Sequence, residues 1–408
     1  MKNRPSTSLR RVGGAVALAA ALALIATSCG DDSTTASDPS DSSGATASTM
    51  KVAEAIGDGE GALSIVVWAG YAEDGTTSPE YDWVTPFEKE SSCQVDAKVA
   101  NTSDEMVELM KSGDYDGVSA SGNASLRLIA SGDVAAVNTA LLDNYNDVAP
   151  FLKMQNYNSK NGQAFGQPHG WGANLLQYNA DVVTEAPDSW GAVYDADSPN
   201  KGKITAYDDW TTIADAAIYL KSTKPDLKIG DPYSLDQTQF DAAVQLLKDQ
   251  KPVIGEYWSD YLKYEEAVTN GSIVLGTTWQ TIANTLTAAE PPVNVKTVLP
   301  KEGSTAWSDT WMLSSKAKHP NCMYKWMNWV SSPEIQAQIA QYYGQAPANL
   351  KACDIAEAGF CDQYHAADEA FAKQLYYWTV PTEKCLDGSD RACIGFKKWA
   401  EAWTEVKG

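Results

Sequence analysis

Leu63-Ser64-Ile65-Val66-Val67-Trp68 is a short apolar run, and it predicts a buried β-strand. A helical stretch follows over residues 81–89, and an alternating strand over residues 95–99 comes next. A helix over residues 103–110 and a strand over residues 115–121 continue the series. Strands that alternate with helices in this way predict a parallel α/β sheet.

The rest of the chain predicts a second lobe. The further strands are expected over residues 175–178, 202–207, 273–277 and 293–299, and the C-terminal third is mainly helical. The folded part extends from about residue 60 to residue 408, which is too long for one small core. We therefore expect an α/β protein with two lobes.

The N-terminal segment has the pattern of an export signal. Four basic residues precede an almost wholly apolar stretch over residues 13–26, which is too short to span a bilayer. Small residues lead directly into Cys29, although Ala26 stands where lipoprotein signals usually have Leu. The pattern favours a lipoprotein signal peptide over residues 1–28, with an ordinary cleaved secretory signal as the alternative.

The segment after Cys29 is expected to be a flexible tether. Residues 30–48 are almost entirely Asp, Ser, Thr, Gly, Ala and Pro, and cannot bury enough apolar surface to fold. We extend the tether over residues 29–60. The protein would then be exported and anchored by a lipid on Cys29 to the outer face of the cell membrane.

Six cysteines remain besides Cys29, and an even number in an exported chain suggests disulfides. The predicted bridges are Cys353–Cys361 and Cys385–Cys393, each across a short loop, and Cys93–Cys322 by elimination. Buried free thiols or a metal site are the alternatives. The absence of a Cys-x-x-Cys pair and of a nearby His cluster argues against a metal.

Charge and motifs exclude several classes of function. The chain has a net charge of −22, which disfavours nucleic acid and anionic membrane surfaces as partners but is compatible with cationic ligands. Gly57-x-Gly59-x-Gly61 precedes the first strand, so it is no phosphate-binding loop. Neither His-Glu-x-x-His nor Gly-x-Ser-x-Gly occurs. We expect no enzyme activity, cofactor or metal site.

Aromatic, hydroxyl and acidic side chains recur after the ends of predicted strands, where open parallel sheets bind ligands. They are Trp68, Tyr71, Ser121, Asp209, Trp279, Trp307 and Asp309. An aromatic face attracts an ammonium by about 0.5–2 kcal/mol, and a charge-assisted hydrogen bond to a carboxylate adds about 1.5–3 kcal/mol. This set predicts a ligand that is cationic at its ends and apolar between them. Taken singly, each Trp also fits a core position, and Asp208-Asp209 also fits a turn or helix cap.

Ordered motifs connect the chain with a known family. The most specific is Pro300-Lys301-Glu302-Gly303 followed by Trp307-x-Asp309. Others are Val67-Trp68-x-x-Tyr71, Asp208-Asp209 and Ser332-Pro333-Glu334. With these motifs the chain resembles the periplasmic spermidine/putrescine-binding proteins of ABC importers over nearly all of its folded length.

The resemblance implies a two-lobed periplasmic-binding-protein fold, in which each lobe is a parallel-type sheet flanked by helices and the ligand lies in the inter-lobe cleft. Lobe one would comprise residues 62–172 and 308–370, and lobe two residues 173–307 and 371–408. The resemblance also assigns the strand-end residues above as polyamine contacts, with Asp309 anchoring a buried ammonium. The implied partners are a small cationic amine and ABC permease subunits, and the protein is expected to be a monomer.

The chain departs from the family at three of the matching positions. Thr212 stands where polyamine binders commonly carry a Glu, and Asn123 and Gln345 replace tyrosines. These changes leave the identity of the amine open. The alternatives are another cationic or zwitterionic metabolite, such as a quaternary amine, and a saccharide, because Trp faces also bind sugars. A secreted enzyme would need a nucleophile beside an acid or base, and the sequence shows no such set.

Overall fold

A computed structural model describes residues 50–386 and 389–408. The predicted signal peptide, Cys29 and the tether as far as residue 49 lie outside the described residues. No helix in the described part combines the length and the apolar character that crossing a membrane requires.

The strands, in chain order, are β1 (Ala62–Val67), β2 (Gln94–Val99), β3 (Gly117–Ser121), β4 (Ser159–Lys160), β5 (Gln163–Ala164), β6 (Gln167–Ala173), β7 (Leu175–Asn179), β8 (Ile204–Tyr207), β9 (Ile254–Trp258), β10 (Leu275–Thr278), β11 (Val295–Val298), β12 (Ser304–Leu313), β13 (Ala346–Pro347) and β14 (Leu375–Tyr377).

The α-helices, in chain order, are α1 (Val84–Ser91), α2 (Ser103–Ser112), α3 (Gly122–Ser131), α4 (Gly191–Tyr194), α5 (Thr212–Thr223), α6 (Gln237–Gln250), α7 (Tyr261–Thr269), α8 (Gln280–Ala288), α9 (Pro320–Val330), α10 (Pro333–Tyr343), α11 (Phe360–Gln363), α12 (Glu369–Ala372) and α13 (Phe396–Lys407).

Two sheets form the two lobes of a periplasmic-binding-protein fold. The larger sheet has the order β13-β6-β12-β3-β1-β2, with β14 on β12, and carries lobe one. The smaller sheet has the order β11-β7-β10-β8-β9 and carries lobe two. The two-lobed α/β fold expected from the sequence is therefore confirmed.

The sheets are mixed, so the expectation of parallel-type sheets needs correction. In lobe one, β1 runs parallel to β2 and β3, but β12 runs antiparallel to β3 and β6. In lobe two, β8 runs parallel to β9 and β10, but β7 runs antiparallel to β10 and β11. The parallel pairs belong to the βαβ units that the alternating pattern indicated. The antiparallel strands β7 and β12 each follow directly on a crossing from the other sheet.

The chain crosses between the sheets after β6, after β11 and after β14. The expected lobe boundary between Trp307 and Ser308 falls inside β12, which pairs with β6 from Ala306 onward, so residues 304–307 stay with lobe one. Residues 375–377, expected in lobe two, form β14 and pair with β12 as well. The C-terminal helix α13 packs with Trp399 and Trp403 into the core of lobe two.

Residues 50–60 are not part of a free tether, and the sequence prediction was wrong there. Met50, Ala53 and Ile56 pack against the core of lobe one. The carboxylate of Glu60 accepts hydrogen bonds from the backbone N–H groups of Asn321 and Cys322, each at 2.9 Å, in the first turn of α9. A carboxylate at a helix N-terminus is favourable because that end carries partial positive charge, and this contact fixes the segment to the lobe.

The three predicted disulfides are present. They are Cys93–Cys322, Cys353–Cys361 and Cys385–Cys393. The first joins the residue before β2 to α9 across a sequence separation of 229 residues, and the other two each span a separation of 8.

Candidate functional site

A buried carboxylate lies in the middle of the central strand of lobe one. Asp309 on β12 is 1% exposed and is paired in register with Ser121 at the end of β3. Ser121 donates its hydroxyl to Asp309 Oδ1 at 2.5 Å, and Tyr71, from the loop after β1, donates to Oδ2 at 2.6 Å. The structure therefore brings three of the predicted site residues into contact.

Asp309 has an unbalanced charge. Burial raises the pKa of its carboxyl to about 6, and the hydrogen bonds from Ser121 and Tyr71 oppose that rise. None of the ion pairs between described residues includes Asp309. At neutral pH it is a buried ionised group whose hydrogen-bond partners carry no charge, which is unfavourable without a cation.

The Tyr71 hydroxyl fixes the orientation of Gln345. Its oxygen lies 2.6 Å from Asp309 Oδ2 and 2.6 Å from the Gln345 side-chain oxygen, but its single proton cannot serve both. With Asp309 ionised, the proton goes to the carboxylate, so the Gln345 amide turns its NH₂ group to Tyr71. The carbonyl oxygen of Gln345 then faces away from Tyr71. Gln345 lies directly over Gly170, where a Cβ atom would clash with it.

Trp307 lies beside this cluster. It precedes Asp309 by two residues, so both side chains project from the same face of β12. Its ring covers Gly172 on β6, where a Cβ atom would be 2.6 Å from Trp307 Cζ2. Glycine at position 172 therefore leaves room for the indole next to Asp309.

Trp279 is the counterpart of Trp307 in lobe two. It follows β10 and precedes α8, and its Nε1 donates to Asn174 Oδ1 at 2.9 Å. Its ring centroid lies 5.6 Å from that of Tyr207 and 5.0 Å from that of Trp258. These contacts hold the indole as one wall of the space between the lobes.

A cavity of about 370 Å³ opens between the two indoles. Trp279, Trp307 and Gln345 lie on its wall, together with the end of β6, the start of β7 and the end of β11. The other polar side chains on the wall are Gln280, Thr297, Gln363, Tyr364, His365 and Gln374. No carboxylate, lysine or arginine belongs to this wall in the described chain. Asp309 is not on the wall, and the Tyr71 hydroxyl connects it to Gln345.

Asp209 and Trp68 lie outside this group. Asp209 follows β8, and burial raises the pKa of its carboxyl to about 6, while Thr211 opposes the rise and the nearby carboxylates of Asp104 and Asp208 add to it. Asp104 belongs to α2 of lobe one, so the Asp209 carboxyl lies within electrostatic range of the opposite lobe. Trp68 is partly buried between two clusters of the lobe-one core.

Asp208 makes contacts within its own lobe, and so do Thr212 and Asn123, two of the residues at which the chain departs from the family. Asp208 accepts hydrogen bonds from Lys407 Nζ at 2.6 Å and Trp403 Nε1 at 3.1 Å, both in α13. Thr212 donates its hydroxyl to the carbonyl of Tyr207 at 2.8 Å. Asn123 accepts a hydrogen bond from Ser103 at 2.9 Å. Thr212 and Asn123 therefore take part in contacts inside their own lobes.

Sequence reasoning missed several buried polar residues near the site. His169 on β6 is fully buried with its ring 4.7 Å from Tyr71, and burial lowers its pKa to about 3, so it is neutral. Trp378 stacks on Tyr207 at 5.7 Å. Asp215 is buried within α5. An acid inside the apolar stretch of α5 was a readable signal, whereas His169 and Trp378 carried none.

Comparisons with known proteins place the chain in a family. Residues 82–372 match the model of a family described as bacterial extracellular solute-binding protein. The spermidine/putrescine-binding periplasmic protein of Escherichia coli is 25% identical over 305 residues, covering 72% of this chain and 83% of that protein. The putrescine-binding periplasmic protein PotF of Escherichia coli is 25% identical over 320 residues, covering 73% and 85%.

A solved structure shows the same fold. The substrate-binding protein PotD of a spermidine/putrescine ABC transporter from Streptococcus pneumoniae has a TM-score of 0.67 and 20% identity, covering 85% of this chain and 97% of that one. The family match spans well over half of the sequence, including β12 with Trp307 and Asp309. The chain belongs to the family of bacterial extracellular solute-binding proteins.

Proposed function

We propose that this protein is the solute-binding lipoprotein of an ABC importer and that it captures a small cationic amine of the putrescine/spermidine class. The observation that carries the proposal is Asp309, a buried carboxylate that has no ion-pair partner in the described chain and lies next to Trp307 on one strand face. An ammonium supplies the charge that this carboxylate needs. The names of the two relatives from Escherichia coli support the same class of ligand.

In this proposal the ligand extends from lobe one to lobe two. One ammonium pairs with Asp309, and the methylene chain packs between Trp307 and Trp279. A second ammonium is directed to Asp209, whose raised pKa also indicates a carboxylate that is short of positive charge. Closure of the lobes removes these contacts from water and strengthens the charge pairs. Trp68 contributes to the ligand site from the lobe-one side of the cleft.

The cavity wall also suits ligands other than a polyamine. Its carboxamides and indoles suit a hydroxyl-bearing ligand as well as an alkyl chain, so a saccharide, a quaternary amine or a zwitterion is the second candidate. A saccharide differs from the cationic candidates because it does not need an ionised Asp309 carboxylate for binding.

A thermal-shift panel with putrescine, spermidine, choline, γ-aminobutyrate and glucose separates these ligands, because a ligand stabilises the protein by mass action. We expect the largest rise in Tm with putrescine and a smaller one with spermidine. Only two carboxylates are assigned to the ligand, and a third buried ammonium without a partner is penalised by several kcal/mol. A shift with glucose and none with either polyamine would overturn the proposal.

The Thr212→Glu variant is the matched control for this preference. It restores the acid that polyamine binders commonly carry at this position, so we expect it to improve the affinity for spermidine relative to putrescine by about tenfold, or about 1.4 kcal/mol. An unchanged ratio in this variant would show that the number of carboxylates does not determine the preference.

Amine affinity is expected to depend on pH. Because the carboxyls of Asp309 and Asp209 each have a pKa of about 6 and must be ionised to pair with the two ammonium groups, putrescine should bind about a hundredfold more weakly at pH 5 than at pH 7.5, about tenfold for each carboxyl. Calorimetry across this range measures the change. An affinity for putrescine that does not vary with pH would contradict the ion pair.

The stability of the free protein is expected to have the opposite pH dependence. The folded pKa of Asp309, about 6, exceeds the unfolded value of about 3.9, so the native state binds more protons between these values. The contribution of Asp309 to the free energy of unfolding therefore falls as pH rises through this window. The Asp309→Asn variant lacks this contribution and serves as the control.

The lipid anchor on Cys29 is the remaining part of the proposal. In a bacterial host the wild type should fractionate with the membrane, and Cys29→Ser should be released, because one modified residue carries the anchor. A wild-type protein found entirely in the soluble fraction without lipid would refute the anchor while leaving the amine site unaffected.

A further inference from the structure

A directed chain of hydrogen bonds links Trp279 to a buried carboxylate in α5. Trp279 Nε1 donates to Asn174 Oδ1 at 2.9 Å. Asn174 Nδ2 donates to Thr305 Oγ1 at 2.7 Å, and Thr305 donates its hydroxyl to Asp215 Oδ1 at 2.5 Å. None of Asn174, Thr305 and Asp215 lies on the wall of the cavity. We call this chain the hinge relay.

The direction of the hinge relay is fixed from its indole end. An indole N–H can only donate, so the Asn174 carbonyl must accept and its NH₂ group must point to Thr305. The Thr305 oxygen accepts that hydrogen bond, so its single proton goes to Asp215. The carboxyl of Asp215 has an oxygen that accepts this proton whether or not the group is ionised. Removing any middle member therefore leaves the indole and the carboxylate without their connection.

The middle of the hinge relay lies where the lobes join. Asn174 is the residue between β6 and β7, and Thr305 is the second residue of β12, after the crossing from β11. The two crossings are tied together by backbone as well, because Asn174 N–H donates to the carbonyl of Thr305 at 2.9 Å. Ser304 also donates its hydroxyl to the carbonyl of Asn174. Hydrogen bonds therefore join both crossings to the Trp279 indole.

The hydrogen bond from Thr305 is the contact that accounts for a carboxyl at position 215 in the core of lobe two. Asp215 is 5% exposed, and none of the ion pairs of the described chain includes it. The ionisable groups near it are Asp209, Tyr194 and Tyr233. Burial raises the pKa of Asp215 to about 7, Thr305 opposes the rise, and the charge of Asp209 adds to it. An apolar residue would be more favourable at this position for stability alone.

We propose that Asp215 is a positioning residue of the solute site, and that it orients the Trp279 indole through Thr305 and Asn174 and ties that indole to the crossings between the lobes. This proposal rests on the proposed function, because it requires that the ligand contacts Trp279. It assigns Asp215, Thr305 and Asn174 an effect on affinity without contact with the solute. The effect is confined to ligands long enough to reach from Asp309 to Trp279.

Thr305→Val and Thr305→Ser form a matched pair of variants for the test. Valine removes the hydroxyl at nearly the same shape, whereas serine keeps it. We expect calorimetry to show putrescine binding about tenfold weaker in Thr305→Val and within about twofold of wild type in Thr305→Ser. Methylamine reaches only Asp309, so its affinity, measured by competition, should be the same in all three proteins. A simple loss of structure would weaken both amines alike, and that result, or no change in Thr305→Val, would overturn the proposal.

A second measurement needs no ligand. The indole N–H signal of Trp279, identified by its loss in Trp279→Phe, should exchange with solvent at least about tenfold faster in Thr305→Val than in wild type, and at the wild-type rate in Thr305→Ser. Asp215→Asn keeps an acceptor oxygen and should preserve slow exchange, whereas Asp215→Leu should not. Equal exchange rates in all variants would overturn the hinge relay. Failure of putrescine and methylamine to bind wild type would instead count against the proposed function.

Discussion

Asp309→Asn is expected to weaken putrescine binding by about 2–5 kcal/mol, which is about thirty-fold to about five-thousand-fold. The amide has the shape of the carboxylate and keeps an acceptor oxygen for Ser121 or Tyr71, so the loss measures mainly the missing charge. In the free protein the same change removes a buried charge without an ion-pair partner in the described chain. The unliganded variant should therefore unfold at a free energy equal to or above that of wild type, and calorimetry and urea unfolding measure the two effects separately.

Asp208→Asn is the matched control for Asp309→Asn. Asp208 is directed to Lys407 and Trp403 in α13, and an amide oxygen can still accept both hydrogen bonds. The affinity of the Asp208→Asn variant for putrescine should stay within about twofold of wild type. Equal affinities of wild type and Asp309→Asn would remove the charge pair from the account.

Removal of the Cys93–Cys322 bridge by a double Ala substitution should lower the free energy of unfolding by about 5 kcal/mol. This bridge closes a loop with a sequence separation of 229 residues, and the loss of chain entropy on closing a loop grows with its length. For Cys353–Cys361, with a separation of 8, the same relation gives about 2.5 kcal/mol. Denaturant unfolding of the two double variants under non-oxidising, non-reducing conditions measures the difference.

The Cys385–Cys393 bridge supplies an internal control, because it also has a separation of 8. Its removal should match that of Cys353–Cys361. If removal of Cys93–Cys322 lowers the free energy of unfolding no more than removal of either short-loop bridge, the length of the closed loop does not determine how much a bridge stabilises the protein.

Local sequence patterns predicted those strands that contain a run of apolar core residues. The run from Leu63 to Trp68 predicted β1, which the structure places at Ala62–Val67. Strand β12 was missed because its residues are buried along the whole strand and include Ser308, Asp309 and Thr310. Neither a continuous apolar run nor an alternating pattern exists there, since β12 meets neighbours on both edges and on both faces.

The end of the tether was placed too late for a related reason. The low-complexity composition stops at residue 48, but the glycines at 57, 59 and 61 suggested that the irregular segment continued. The structure uses this segment in extended form, with Ile56 on the core and Glu60 at the start of α9. Glu60 and Asn321 are more than 250 residues apart in the sequence, so no local pattern indicates their contact.

The candidate site was predictable to the extent that it follows strand ends and family motifs. Tyr71, Ser121 and Asp309 converge because Tyr71 follows β1, Ser121 ends β3, and the antiparallel strand β12 places Asp309 opposite Ser121. The hinge relay was not predictable in this way. Thr305 and Asp215 are 90 residues apart, and Thr305 and Asn174 are 131 apart, and their meeting depends on where the crossings between the lobes lie.

A crystal structure of the complex with putrescine near pH 7.5 tests the central claim most directly. We predict one ammonium nitrogen at a charge-assisted hydrogen-bond distance of about 2.7–2.9 Å from the Asp309 carboxylate, with the methylene chain against Trp307 and Trp279. The distance from that nitrogen to Asp309 is the quantity that decides. Putrescine bound with both nitrogens beyond hydrogen-bond reach of Asp309 would contradict the account.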